Sequence, residues 1–433
     1  MASQSQRDVQ RIDDSLILHG VRDGRDAARF VLFNATVNGD DQGATCAALL
    51  NHHPTVAWDD FMLVEDEQTG DVVSTTCTIP WRLQLGGVSL NAAMLEMVVT
   101  HPGYRRRGLV RRQIDRFHQR VAEQAVDLCI IEGIPYYYRQ FGYAYVLDHW
   151  SADALPAALI PDGPATPDVQ LRRATPADIP TLVQLYAGAL GARPLHTARN
   201  ADDWVYLLQA VHYPVYLVDR RADGPPLGYV CGWRLIERDT LILVESGFAD
   251  AAAAMTVLQV CKPRAAILRL GWPEQGTLVQ VGRSLGSRPH SGDQWLIRIP
   301  DLPRLLGKLG PVWAARLAAG GYGRLTADLT INLYRQAYRL RFVDGALAGV
   351  EPLGFVDASM GADGGDLCIP PDAFTRLLLG YRTLDELRDA WPDMVIRPTR
   401  RHLLDALFPK LASYVWLPYM HCGHLTPLDL PTL

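Results

Sequence analysis

Arg105, Arg106, Arg107, Arg111 and Arg112 flank Gly108 in the stretch EMVVTHPGYRRRGLVRRQIDRF, residues 96–117. An apolar run ending at Thr100 precedes them, and Val110, Ile114, Phe117, Val121 and Ala125 follow at helical spacing. A strand that turns through Pro102, Gly103 and Gly108 into a helix leaves the first-turn amides without intrahelical acceptors, and the helix dipole adds partial positive charge there. This is the chemistry of an anion site: Gly108 lets a phosphate approach the backbone, and Arg105, Arg106, Arg111 and Arg112 supply charge around it. The bland alternative is a solvated, positively charged helix end. No Walker Gly-Lys-Ser/Thr follows and no GxGxxG is present, which removes the usual nucleoside-triphosphate and dinucleotide sites.

The rest of the chain is not basic. Its 433 residues carry a net charge of −5, so the arginines are a local feature that suits a phosphate-bearing small molecule better than nucleic acid or a membrane surface. With 48% hydrophobic and 21% charged residues the chain should fold, and at this length it should form several cores. The seven cysteines are dispersed and never in CxxC spacing, which argues against a disulfide framework or zinc ribbon and points to a reducing cytoplasm. The polar start and the lack of a long apolar span point the same way. His421-Cys422-Gly423-His424 has no second ligand pair, so no metal is expected. Gly282-Arg283-Ser284-Leu285-Gly286 matches a nucleophile elbow, but TLVQVGRSL reads as a helix ended by Gly286, with no helix after the serine.

The elements that must hold the anion site form an α+β, mixed helix-and-sheet pattern. Residues 61–85 read as two strands joined by a Gly-containing turn, 90–100 as a third, and 126–131 as a buried parallel strand. A Pro-rich connector at 155–168 ends the first unit, residues 1–154. A second unit, 168–299, opens with a strand and a Thr-Pro-x-Asp helix start, and a third covers 300–433. QFGYAYVLDHW closes the first unit as SLGSRPHSGDQWLIRI closes the second, a faint sign of two diverged copies.

RRRGLV at 105–110 resembles the Arg/Gln-x-x-Gly-x-Gly/Ala pyrophosphate motif of GNAT N-acetyltransferases. Val110 departs from its last position. The Eis-like (enhanced intracellular survival) branch, with RRRGLL in its loop, shares that departure, and YYYRQFGY at 136–143 is similar to that branch too. The resemblance implies tandem GNAT-like domains, the second without a cofactor motif, and a sterol-carrier-protein-like C-terminal domain. It also implies acetyl-CoA as co-substrate. Val98, Val99 and Thr100 would line the pantetheine arm, and Arg105, Arg106, Arg107, Gly108, Leu109, Val110 and Arg111 the pyrophosphate.

Acetyl transfer to an amine needs a base, oxyanion donors and an acid for the departing thiolate. Taken alone, Tyr136–Tyr138 read as ordinary aromatic packing; anchoring on Phe141-Gly142, the resemblance assigns the acid to Tyr138 instead. For the base it implies the C-terminal carboxylate, here Leu433, although the tail lacks the aromatic and acidic ending of that branch. Glu96, where other GNAT enzymes often keep a glutamate, is a second candidate, and an exposed or salt-bridged strand carboxylate is its alternative. Phe30, Phe33, Trp58, Asp59 and Asp60 precede the core strands where such enzymes form a pocket for a cationic amine. The acceptors implied are aminoglycosides, polyamines or lysine-like amines, and the implied assembly is a homo-oligomer, often a hexamer. A non-catalytic acyl-CoA or apolar-ligand sensor is the rival.

Overall fold

The computed structural model describes residues 9–428 apart from 151, 164–168, 191–192, 221–223, 249, 273–274, 290–291 and 359–363. Three sheets organise it, and helices cover their faces, giving a mixed α+β fold.

The first sheet runs β1 (Gln10–Arg11), β2 (Leu16–Gly20), β3 (Phe61–Asp66), β4 (Asp71–Leu85), β5 (Val88–Thr100) and β6 (Leu128–Ile131), with β7 (Ala144–Trp150) at its far edge. The expected hairpin at 61–85 is β3–β4, turned at Gly70, whose φ of 74° explains the glycine. Alternation along β3 assigns the two faces. Met62 and Val64 pack with Leu109, Ile114 and Phe117 of α3 (Leu109–Glu123), whereas Phe61 and Leu63 face α1 (Gly24–Asn38) and α2 (Asp40–His52). The face toward α1 and α2 belongs to a large core that continues into the later parts of the chain.

The second sheet contains β8 (Asp153–Pro156), β9 (Val169–Arg173), β11 (Val215–Arg220), β12 (Gly228–Leu235), β13 (Thr240–Phe248) and β14 (Ile267–Trp272). A short β10 (Leu195–Thr197) instead pairs with β4 and with Ser413–Tyr414 of the tail. The third sheet is built from Ala327–Asn332, Ala337–Val343, Ala346–Gly354, Leu367–Cys368 and Val395–Ile396.

Two strands cross the unit boundaries expected from the sequence. β15 (Asp293–Arg298), at the end of the expected second unit, lies in the first sheet between β6 and β7, antiparallel to both. β8, at the end of the first, lies in the second sheet beside β14. The first two units therefore exchange their closing strands, and contiguous segments do not correspond to sheets.

The nucleophile-elbow match is absorbed by a helix, Thr277–Ser284, with Ser284 Oγ donating to Val281 O at 2.7 Å and Gly286 at φ 96° just beyond. Among the described residues no helix is long and apolar enough to cross a membrane.

Candidate active site

β5 and β6 run parallel and pair only from Ala92–Met94 with Leu128–Ile130. Beyond that they part, so among the described residues the edge of β5 toward Thr100 has no neighbouring strand on that side. A bulge accompanies the parting: Met97 and Val98 together oppose Thr76, and Met97 takes φ 52°. The strained residue is held from the side. Thr75 Oγ1 donates to Met97 O at 3.1 Å, and Asn34 of α1 donates to Thr75 Oγ1 at 3.2 Å. Ser74 Oγ reaches Val99 O (2.9 Å), Thr100 Oγ1 (2.8 Å) and Gln113 Oε1 of α3 (2.8 Å), fixing the strand end against the helix.

A cleft of about 600 Å³ lies in this opening. Val98, Val99, Thr100, Arg105, Arg106, Gly108, Leu109, Val110, Arg111 and Tyr138 line it, so nearly all of the expected anion loop is brought together with the expected acid. Gly108 is the N-cap of α3 in the left-handed region, and no side chain caps the helix. The first helical bond runs from Arg112 N–H to Gly108 O, which leaves the amides of 109–111 for a ligand. Arg105 and Arg106 are exposed and have no ion-pair partner among the described residues. Arg111 donates to Gln140 Oε1 at 2.5 Å and lies over Phe141. Arg107 is the exception, turned to Asp13 at 3.2 Å and not part of the cleft lining. Free amides, unpaired guanidinium groups and an open strand edge suit a ligand with an anionic head and an extended arm. Among the described residues no group of three or more His, Cys, Asp and Glu side chains is placed to hold a metal.

Among the described residues the second sheet makes no comparable opening. β13 and β14 stay paired from Thr240–Ile267 to Glu245–Trp272, and the helix after β13, Ala251–Cys261, is capped by the Asp250 carboxylate. A carboxylate already on those amides excludes a phosphate by repulsion.

Tyr138 follows β6 on a short 3-10 turn, Tyr137–Phe141, and is 5% exposed, whereas Tyr136 is 75% exposed. Burial pushes its hydroxyl well above the usual tyrosine range, with Glu96 and Tyr137 adding to the effect, so it stays protonated. The ring lies directly on Gly133, where a Cβ would stand 2.2 Å from Tyr138 Cδ2. Gly133→Ala is therefore expected to displace the phenol and lower kcat by about 10²-fold while the fold survives, checked by single-turnover kinetics beside a thermal melt.

Glu96 lies on β5 just before the bulge, partly buried and near Tyr138. Burial and the Glu132 carboxylate push its pKa up to about 8, against the lowering effects of a hydrogen bond from Tyr419 and of Met97 N–H at 3.3 Å. A carboxylate that ionises near neutral pH is suited to general-base work.

The expected acceptor residues are not gathered at the cleft. Phe30 is fully buried and meets Phe61 edge-on at 5.2 Å. Phe33 lines a neighbouring groove with Val37 and Tyr104. Trp58 and Asp59 sit beside the C-terminal half of α3, and Asp60 accepts from Ala57 N–H and pairs with Arg120 at 3.2 Å. Leu433 lies outside the described residues. The tail before it is pinned to the second sheet, where Leu428 N–H donates to Tyr216 Oη at 3.1 Å. Sequence reasoning missed Gly133, Glu132, Asn34 and Tyr419; only Gly133, following a strand directly, left a trace.

Residues 33–146 match the GNAT acetyltransferase domain model. No curated protein matches the sequence. Among solved structures, a probable N-acyltransferase from Enterococcus faecalis V583 is similar, with TM-score 0.68 and 14% identity over 92% of this chain and 97% of that one. A GCN5-related N-acetyltransferase from Kribbella flavida aligns at TM-score 0.62 and 18% identity, covering 94% and 98%. Eis1 from Mycobacterium abscessus aligns at TM-score 0.59 and 16% identity, covering 92% and 99%. At such identities the likeness establishes a shared fold along nearly the whole chain.

Proposed function

We propose that this chain, a GNAT-type N-acetyltransferase, moves an acetyl group from acetyl-CoA to a primary amine by direct attack, without a covalent enzyme intermediate. The observation that carries this is the convergence of the open β5 edge, the uncapped start of α3 and the buried Tyr138 on one cleft. In this reading the amides of 109–111 and the Arg105 and Arg106 guanidinium groups hold the pyrophosphate, and the β5 edge bonds the pantetheine arm as an added strand would.

Glu96 takes a proton from the acceptor ammonium, and the neutral amine attacks the thioester carbonyl. As the carbon–sulfur bond breaks, the Tyr138 hydroxyl donates to the departing sulfur. Burial weakens that phenol as an acid, so the proton transfer must accompany bond cleavage, when the sulfur is most basic. Backbone amides on the open β5 edge are the donors available to the thioester oxyanion.

The Eis-like resemblance, the whole-chain likeness to Eis1 and the carboxylates Glu96 and Glu132 favour a cationic acceptor: an aminoglycoside, polyamine or lysine-like amine. It also favours a second GNAT-like unit around the second sheet, a sterol-carrier-like unit around the third, and a homo-oligomer. Free-CoA release from acetyl-CoA across a panel of amines tests the activity; release that never exceeds background while acetyl-CoA binds would transfer the case to the ligand-sensing rival. Arg105→Ala and Arg106→Ala are each expected to raise KM for acetyl-CoA about tenfold with kcat nearly unchanged, and to weaken its salt dependence. An unchanged KM in both would remove them from the pyrophosphate site.

A further inference from the structure

Four stretches far apart in sequence meet at a small cavity away from the cleft. β7 contributes Asp148, the segment between the helix Ile179–Leu190 and β10 contributes Arg193, the turn after the helix Pro371–Leu378 contributes Tyr381 and Arg382, and the tail contributes Lys410 and Ser413. The cavity measures about 110 Å³, which admits one small ion and is too little for a nucleotide or a coenzyme.

Its two arginines are held in place without a carboxylate. Arg193 Nη1 donates to Ala189 O at 2.6 Å and to Leu190 O at 2.9 Å, capping the last carbonyls of its helix, and leaves the rest of the guanidinium fork uncommitted. Arg382 lies over the Tyr381 ring, 3.8 Å from its centroid, and donates to Tyr381 O and Tyr381 Oη at 3.0 Å each. Neither guanidinium has an ion-pair partner among the described residues. Lys410 is shared with Glu386, at 2.5 Å. Asp148 accepts from Tyr381 Oη at 3.0 Å, and that oxygen in turn accepts from Gln294 Nε2 at 2.6 Å and from Arg382. The lining thus carries three cations and one carboxylate, and the carboxylate is engaged by a phenol. Two fixed guanidinium groups without a counter-charge are costly to desolvate, and an oxyanion that takes their planar forks offsets that cost.

We propose that this cavity binds one small tetrahedral oxyanion, inorganic phosphate or sulfate, held between Arg193 and Arg382 with Lys410 and the Ser413 hydroxyl as further donors. The anion joins β7, the end of the helix Ile179–Leu190, the turn at 381–382 and the tail, and so fastens stretches from both halves of the chain. The site shares no lining residue with the anion loop at 105–111, and it stands whether or not the chain transfers acetyl groups.

Thermal melting in rising inorganic phosphate, balanced with potassium chloride to constant ionic strength, is the test, with saturating CoA present to fill the anion loop. A bound anion raises the melting temperature along a saturable curve, whereas a general salt effect does not saturate. Arg382→Gln and Arg193→Gln should each move the midpoint of that curve to about tenfold higher phosphate, and Asp148→Asn should move it about threefold lower by removing the repelling charge. Sulfate should reproduce the pattern. Side chains of purely structural value would lower the melting temperature without moving the midpoint, and a response arising at the anion loop would be the same in all three variants. If Arg193→Gln fails to fold for want of its helix cap, the opposite shifts of Arg382→Gln and Asp148→Asn carry the test. No saturable rise in the native protein, or a midpoint unmoved in the folded variants, overturns the site.

Discussion

Glu96→Gln is expected to lower kcat/KM by about 10²–10⁴-fold and to erase an ionisation limb centred near pH 8. In the native enzyme the rate should rise through that pH as the carboxylate ionises, because only the ionised form accepts a proton. The acceptor's own ammonium contributes a separate limb near pH 10. A terminal carboxylate acting as base would ionise at about pH 3.5 and give no limb near 8. A pH–rate profile of both proteins with one amine therefore decides between Glu96 and the C-terminus.

The same group has a stability signature of opposite sign to the usual paired carboxylate. Its pKa is about 8 in the folded protein against 4.5 as the ordinary value, so the folded state binds more protons between those limits and stability falls as pH rises through them. Three and a half units would amount to roughly 5 kcal/mol, and partial exposure reduces this to a few. Glu96→Gln should melt above the native protein at pH 9, with the difference closing toward pH 4.5. Equal melting curves at pH 9 would mean that the carboxylate is solvated and not tuned.

Tyr138→Phe is the second large effect: about a 10²–10³-fold loss in kcat with acetyl-CoA affinity within about twofold of native. The ring packs against Gly133 and near Tyr143, and only the oxygen is lost, so the cleft keeps its shape. Calorimetric binding beside free-CoA release separates the two quantities. A variant that keeps kcat would dismiss the hydroxyl, and the adjacent Tyr137, also on the cleft wall, would be tested next.

The anion loop was legible because its chemistry is local: arginines, a left-handed glycine and a helix start are contiguous at 105–111. The order of β3, β4, β5, α3 and β6 was legible for a similar reason, since each carries its own periodicity. What escaped depends on neighbours far along the chain. Nothing in LEMVV announces that Met97 will bulge, because the cause is a register shift against Thr75–Cys77 and support from Asn34. Nor can 293–298 reveal a place between β6 and β7. Trp58, Asp59 and Asp60 misled because acidic and aromatic types alone carry no address, and Asp60 is engaged with Arg120 and a backbone amide instead.

The exchanged strands also bear on the order in which the protein is made. β7 leaves the ribosome well before β15, which supplies the partner between it and β6, and β8 emerges before the sheet that receives it. For the span of more than a hundred residues separating β8 from β15, a nascent chain carries the edges of β6 and β7 that face β15 unmatched. The cleft wall that bears Tyr138 gains its backing at Leu296 only with the arrival of β15. A polypeptide released before β15 would therefore lack the packing behind Tyr138.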